Sequence, residues 1–480
     1  MEPLDTRKLF AGGRLRRLRA ERGLTQTEMA NRLGVSLSYL NLLERNQRPL
    51  TANVLLRLAT AFDVEVRGFL ESERRVSEAD LVEVFADPAL AHVPVSRAEV
   101  QELISTAPNA ALAIETLYAL WRRSAREADG AAEGARAPDG AAEASLDLAI
   151  ERVRDHLVAR ENHFPELDAL AERIAGDVAA EPGMLLAGLA ARLRDLHGVR
   201  LRVMPAASMG GFLRRYDQSR RALNLSEAYD PASRSFQSAF QIGALEADSA
   251  IETALDEAAF VETRARGLMK VTLLNYFAAA MTMPYARFRE AAEDLAYDIE
   301  ALGARFEASF EQVCHRLTTL QRPRARGVAF FMLRMDAAGN VSKRLSAAEF
   351  PFSRFGGACP LWNVHAAFAA PGRVLTQTIE MPDGKRFFSV ARTVERAGGP
   401  HDRPNPPSAV ALVCHAGDAA RLVYARGGDP RSAEATPVGV NCRLCPRADC
   451  AQRGAPAAGI ELRDGVNEKR ASPFGAAAKG

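Results

Sequence analysis

Between Thr25 and Arg45 the chain reads TQTEMANRLGVSLSYLNLLER, and few folds accept that order of residues. Thr25 is a good N-cap, and Glu28 stands where the reciprocal partner of a capping box belongs. Gly34 stops the first helix, because the residue after a helix end commonly takes left-handed backbone. Ser36 caps a second helix over Leu37 to Arg45. Ala30 is small where the two helices must approach, and Val35 plugs the core beneath the turn. Two short helices joined through such a glycine form a helix-turn-helix. GRLRRLRAERG supplies a helix before it, ended by Gly23, and LTANVLLRLATAFDV one after it, capped by Thr51. Leu40, Leu43, Leu55 and Leu58 should be core.

Charge sharpens this reading. The whole 480-residue chain carries a net charge of only +2, yet its first 70 residues hold twelve Arg or Lys against seven Asp or Glu, a local +5. Any surface that faces phosphate is therefore local. A helix at Leu37–Arg45 fits the major groove, with Ser36, Ser38, Tyr39 and Asn41 where base edges and phosphates are reachable. Thr25 and Gln26 open the preceding helix, where phosphate meets backbone N–H groups. Arg48 follows the second helix as a phosphate anchor. The run from Leu15 to Val64 resembles the Xre/Cro family of phage-repressor-like DNA-binding domains. That resemblance implies operator DNA as partner and a homodimer, or a higher homo-oligomer, on paired half-sites.

The remainder divides by texture. Residues 1–70 form the helix-turn-helix domain and 71–126 a helical connector. Residues 127–146 are rich in Ala, Gly and Asp (EADGAAEGARAPDGAAEAS) and read as a flexible linker. A largely helical segment follows over 147–321, interrupted by strand-like VRLRVMP and RALNLS. From 322 to 456 the pattern alternates: VAFFMLRMDAAGNVSKRLSA reads as strand, turn at Gly339-Asn340, strand, with further strands in GRVLTQTIEM, RFFSVARTV and SAVALVCHAG. Residues 457–480 form a tail. The expected fold class is multidomain and mainly α: a helical N-terminal domain, a helical middle domain and an α+β C-terminal domain. No apolar run is long enough to span a bilayer, and MEPLDTRKLFAGG lacks the apolar core of a signal peptide. A cytoplasmic location is expected.

The middle segment holds RSFQSAFQIGALE, which has the cadence of a zinc-enzyme helix. Against the pattern Arg-x-Phe-x-x-Ala-His-Glu-x-Gly-His, Arg234, Phe236, Ala239 and Gly243 match. Phe240 replaces the first histidine, Gln241 the glutamate and Ala244 the second histidine. In LLNYFAAAMTMPYARF, Leu273 stands at the third ligand position, while Asn275, Phe277, Ala278, Ala279, Met283 and Pro284 keep the frame. This segment resembles the zinc-peptidase-like domain of the IrrE/ImmA type. Phe and Leu cannot ligate zinc, and Gln cannot take a proton from water, so no catalytic residue is expected and the chain is not expected to be an enzyme. A pocket without its metal can take a small ligand. Arg214, Arg215 and Arg221 lie near this helix in sequence, and Phe236 and Phe240 could line an apolar slot beside them.

Near the C-terminus, VNCRLCPRADCAQR spaces Cys442, Cys445 and Cys450 as C-x2-C-x4-C. Clustered thiolates select an iron–sulfur cluster or zinc, and Arg443, Arg447 and Arg453 favour the thiolate form. Cys359 in GGACPLWNVH could supply a fourth ligand; Cys414 and His415 are weaker choices, and Cys314 reads as a helix residue. A 4Fe-4S cluster is placed ahead of structural zinc. The order of parts, with FFMLRMDAAGNVSKRLSAAEFPFSRFGGACPLWNVHAAF, RVLTQTIEMPDGKRFFSVART and GVNCRLCPRADCAQR, resembles the short-chain fatty acyl transcriptional regulators. That resemblance implies a regulator of methylcitrate or glyoxylate metabolism with an acyl-CoA effector and, in some members, an iron–sulfur cluster. The competing readings are a metalloprotease-like or acyl-CoA-handling enzyme, and an antitoxin-like DNA-binding partner.

Overall fold

The computed structural model describes the chain except residues 1–14, 17, 20–21, 23, 45–47, 49, 63–77, 88–89, 91–92, 94, 132–139, 179–182, 261–262, 353–357, 396–404, 448–449, 458–473 and 475–480. The expected helix stop at Gly23, the middle of the expected linker and nearly all of the tail lie outside the described residues. The chain forms two compact units, Met1–Ala137 and Pro138–Gly480.

The first unit begins with α1 (Gln26–Leu33), α2 (Leu37–Glu44) and α3 (Ala52–Phe62). Thr25 and Glu28 make the reciprocal capping box, and Gly34 closes α1 at φ 61°. Leu40, Leu43, Leu55 and Leu58 are buried with Met29, Ala30 and Leu33 in one small core, and Val35 packs against it. Three further helices follow: α4 (Glu78–Phe85), α5 (Arg97–Thr106) and α6 (Pro108–Ala131). Residues 127–131 and 140–145 are helical where a flexible linker was expected. Helix α6 runs on to Ala131, and α7 (Gly140–Ala159) starts within the second Ala-rich part. Alanine is the strongest helix former, so Ala-rich sequence flanking long helices extends them.

In the second unit, α7, α8 (Pro165–Val178) and α9 (Leu185–His197) lead into β1 (Arg200–Met204), β2 (Arg214–Asp217) and β3 (Ala222–Ser226). These strands form a sheet of order β1-β3-β2, parallel at β1–β3 and antiparallel at β2–β3. Then come α10 (Pro231–Glu246), α11 (Asp248–Glu257), α12 (Thr263–Thr282), α13 (Tyr285–Asp294), α14 (Ile299–Phe306) and α15 (Phe310–Leu317). The middle segment is thus not purely helical. Its edge strand β2 (RRYD) was not anticipated, because four polar residues carry no alternation to read.

The last part is a six-stranded sheet of order β5-β4-β8-β7-β6-β9. Its strands are β4 (Phe331–Met335), β5 (Val341–Ser346), β6 (Leu375–Glu380), β7 (Arg386–Val394), β8 (Ser408–His415) and β9 (Thr436–Pro437). The turn at Gly339-Asn340 is real: Gly339 has φ 88°, and Asp336 accepts from the Asn340 N–H at 2.9 Å. Both faces of this sheet are covered. On β8, Val410, Leu412 and Cys414 face the core shared with the helices, while Ala409, Ala411 and Val413 face a second core around Trp362. A strand covered on both faces reads as a continuous apolar run, as SAVALVCH does. With two sheets present, "mainly α" holds for the N-terminal two-thirds and fails for the C-terminal third.

A buried ion pair ties the helices together. Arg316 of α15 and Asp168 of α8 meet at 2.7 Å, both at 0% exposure. Tyr276 of α12 donates to the second Asp168 oxygen at 2.7 Å. Burial alone would raise the Asp168 carboxyl, but Arg316, His163 and Tyr276 together hold it below the usual carboxylate range.

Candidate functional sites

On the helix-turn-helix head, Ser36, Ser38 and Arg48 are exposed, and Tyr39 and Asn41 half-buried. The Ser36 hydroxyl accepts from the Tyr39 N–H at 3.2 Å and lies 3.2 Å from that of Ser38. The Asn41 side chain has no hydrogen-bond partner among the described residues, while its backbone lies within α2. Thr25 and Gln26 are committed inside the domain: the Thr25 hydroxyl bonds Glu28, and the Gln26 amide donates to Glu44 at 2.7 Å. Glu44 also holds Arg19 at 2.7 Å. Sequence reading missed Arg57, whose guanidinium donates to the Leu33 and Gly34 carbonyls at 3.1 and 2.8 Å. It fastens α3 to the end of α1 and so fixes the turn.

In the second unit, α10 and α12 pack side by side, as two ligand-bearing helices of a zinc enzyme must. Their close approach runs through Gly243, where a Cβ would lie 2.6 Å from Cδ1 of Phe277. Phe236, Phe240, Gln241 and Leu273 are buried, and Ala244 half-buried. What the frame holds is an arginine. Arg214, from edge strand β2, lays its guanidinium 4.3 Å above the Phe240 ring and donates to Gln241 Oε1 at 2.8 Å. Burial pulls the Arg214 pKa below its ordinary value, against an opposing pull from Tyr229. The other two arginines do not join it. Arg215, next along the strand, points to the opposite face and sits 5.2 Å above Phe212. Arg221 reaches the His197 carbonyl at the end of α9. Phe236 packs within the core.

A cavity of about 500 Å³ lies elsewhere in this unit. It is lined by the start of α10, by α14 and α15, and by Arg392 of β7. Asp230, Glu300 and Glu307 make it acidic, and Glu300 already holds Arg392 at 2.8 Å. Such a wall repels phosphate.

The fourth cysteine does meet the other three. Cys359, Cys442, Cys445 and Cys450 line one cleft with Gly439, Asn441, Arg447 and Arg453. Both contributing loops are docked on β6. On one side the Asn363 N–H donates to Gln377, and Gln377 donates to the Leu361 carbonyl. On the other, Val438 and Arg447 donate to the Glu380 carbonyl at 3.1 and 2.8 Å. Backbone amides of Gly439 and Leu361 bond the Cys359 sulfur, and the Gly454 N–H lies 3.4 Å from Cys442 Sγ. Burial, with Cys442 and Cys445 nearby, still pushes the Cys359 thiol up. Arg453, 4% exposed, donates to the carbonyls of Cys442, Cys445 and Arg447. Cys314 and Cys414 are fully buried outside the cleft. Among the described residues, no group of three or more His, Cys, Asp or Glu is arranged to hold a metal ion as it stands. No described helix is long and apolar enough to cross a membrane.

Comparison with known proteins follows the same division. The helix-turn-helix family matches residues 15–69, the IrrE N-terminal-like domain 194–318, and the C-terminal domain of short-chain fatty acyl coenzyme A regulators 319–474. The HTH-type transcriptional regulator RamB of Mycobacterium tuberculosis is 39% identical, covering 97% of this chain and 98% of its own. The chain belongs to the short-chain fatty acyl-CoA regulator family. Further relatives of this regulator, each 39% identical over 97% of it, are the HTH-type transcriptional regulator PrpR of Mycobacterium tuberculosis and the propionyl-CoA carboxylase regulator of Cereibacter sphaeroides. These matches cover 96% and 98% of the relatives' own lengths. A solved structure of a Mycobacterium tuberculosis transcriptional regulator superposes with TM-score 0.65 at 40% identity, covering 68% of this chain and 99% of that one. The regulator is a DNA-binding transcriptional regulator of acyl metabolism. Its peptidase-like domain keeps the helical frame of a zinc site without the two histidines and the glutamate that would hold the ion, or the glutamate that would act as base.

Proposed function

We propose that the second unit is the effector-sensing half of the regulator. It binds a short-chain acyl-CoA, and Cys359, Cys442, Cys445 and Cys450 carry an iron–sulfur cluster. The head binds operator half-sites as a dimer, and effector binding changes the spacing of the two heads. Because half-site spacing must match the DNA turn, a small change in dimer geometry alters affinity. The observation that carries the sensor reading is the arginine seated on the former metal helix: a hydrolase frame without its ligands now carries a fixed cation against Phe240 and Gln241. The relative named as a propionyl-CoA carboxylase regulator supports the acyl-CoA class.

Four sulfurs in one cleft, two of them accepting backbone N–H groups, form a donor set suited to a soft metal centre. The half-exposed thiols of Cys442 and Cys450 can turn inward to complete it. When bound, a cluster would supply redox sensitivity; the chain's own part is to gather the four sulfurs in one cleft beside Arg447 and Arg453. Mobility shift on the protein's own upstream DNA, with and without propionyl-CoA, tests the reading. A shift indifferent to every acyl-CoA rejects the sensor. Anaerobic metal analysis tests the cluster: iron with matching sulfide supports it, and stoichiometric zinc in colourless protein rejects it.

A further inference from the structure

We propose that Arg214 is an oxyanion anchor that supplies a fixed positive charge beside the former metal helix. In a zinc peptidase of this pattern the ion is held at the two histidine positions and the third-ligand position, here Phe240, Ala244 and Leu273, beside the general-base glutamate at position 241, and it attracts an oxygen of the substrate. The Arg214 guanidinium contacts the first ligand position and the base position: the Phe240 ring at 4.3 Å and the Gln241 amide oxygen at 2.8 Å. Neither partner neutralises it. Among the described residues no carboxylate pairs with Arg214, although the second unit pairs most of its buried or half-buried arginines, such as Arg192 with Glu246 and Arg344 with Glu151.

The glutamate that a peptidase would carry at position 241 would form that pair. Glutamine instead orients the guanidinium through one N–H and leaves its charge uncompensated. Only Nη1 is engaged, so Nε and Nη2 remain for a ligand, and a planar guanidinium presents such N–H groups in the geometry of a carboxylate or phosphate. Burial makes the group easier to desolvate, as its lowered pKa indicates, and so strengthens its attraction for an anion. The β2 edge supports the placement. Arg214 pairs with Leu225 of β3, which is wholly buried, so the strand cannot turn the side chain away without breaking the sheet register.

The site deepens the sensor reading and rests on it for biological meaning, but it is tested separately. Calorimetric titration of the full chain uses propionyl-CoA, free CoA, propionate and inorganic phosphate. At least one should bind. Binding by propionate identifies a carboxylate as the anchored oxyanion; binding by phosphate or free CoA identifies a phosphate. Arg214→Gln should weaken that ligand at least about tenfold, and Arg214→Lys should restore only part of it, since lysine offers no planar fork. The deciding variant is Gln241→Glu. It places a carboxylate against the guanidinium, so it should abolish ligand binding while the thermal midpoint holds or rises. An arginine serving packing alone would let Gln241→Glu bind as the unmodified chain does, and that result overturns the proposal. Propionyl-CoA that binds both variants unchanged removes the anchor and leaves the sensor standing. A chain that binds no acyl-CoA, yet takes propionate or phosphate through Arg214, keeps the anchor and removes the sensor.

Discussion

Two places in the second unit bear the marks of metal chemistry, and they are opposites. Around Phe240 the frame survives and the ligands are gone. Around Cys445 four cysteines line one cleft, and nothing in the linear sequence frames them beyond a C-x2-C-x4-C run. The first site is built from two adjacent helices whose spacing is a local matter. The second is built from loops that meet only because both dock on β6. A frame can outlive its metal when something else holds it, and here the Asp168–Arg316–Tyr276 cluster does so from behind. The cysteine loops have only a few polar anchors, so a bound centre would matter to their order.

That contrast can be broken experimentally. If the cysteines act as one site, Cys359→Ser should abolish cofactor content as fully as Cys442→Ser, while Cys414→Ser leaves it intact; iron and sulfide analysis reads the result. Equal content in Cys359→Ser would leave the three clustered cysteines as the site. Next in size is Asp168→Asn. It strands the buried Arg316 and should cost about 3–5 kcal/mol in denaturant unfolding. The sign with pH follows: a carboxyl depressed in the folded state stabilises above its unfolded pKa, and that stability is lost as pH falls through the folded value. Asp168→Asn should remove this acid limb.

Smaller effects sharpen the comparison. Gly243→Ala forces a Cβ against Phe277 and should cost about 1–3 kcal/mol. Adding Phe277→Leu should recover part of the loss, as a shared contact requires. Gly439→Ala would place a Cβ 2.8 Å from Cys445 Sγ. Its stability cost should be about 1 kcal/mol, because the loop can shift, but metal affinity should fall clearly, since that sulfur must move. A Gly439→Ala protein with normal cofactor content would show that Cys445 is not a ligand.

Much of the architecture was legible because it is local. The caps at Thr25 and Ser36, the stop at Gly34, the turn at Gly339 and strands β4 to β8 of the large sheet each depend on residues a few positions apart, where backbone geometry and side-chain period leave their trace, whereas the short β9 left none. The edge strand β2 left none: RRYD alternates nothing, and its pairing partner β3 creates it. The Ala-rich stretch misled because the same residues that lack a core also favour helix. Among the site residues, the three neighbouring arginines looked equivalent in sequence. Strand alternation separates Arg214 from Arg215, and only the sheet decides which of the two faces α10.

The sequence by itself determined a helix-turn-helix head, a zinc-peptidase frame without its ligands and a set of clustered thiols, because each is written in residue identity at short spacing. The tertiary structure alone decided which arginine lies against Phe240 and Gln241, that Cys359 rather than Cys414 lines the cleft of the other cysteines, and that Arg316 lies buried against Asp168. Those outcomes depend on which surfaces meet across long stretches of chain, and burial and charge act there through distances that no spacing along the backbone records.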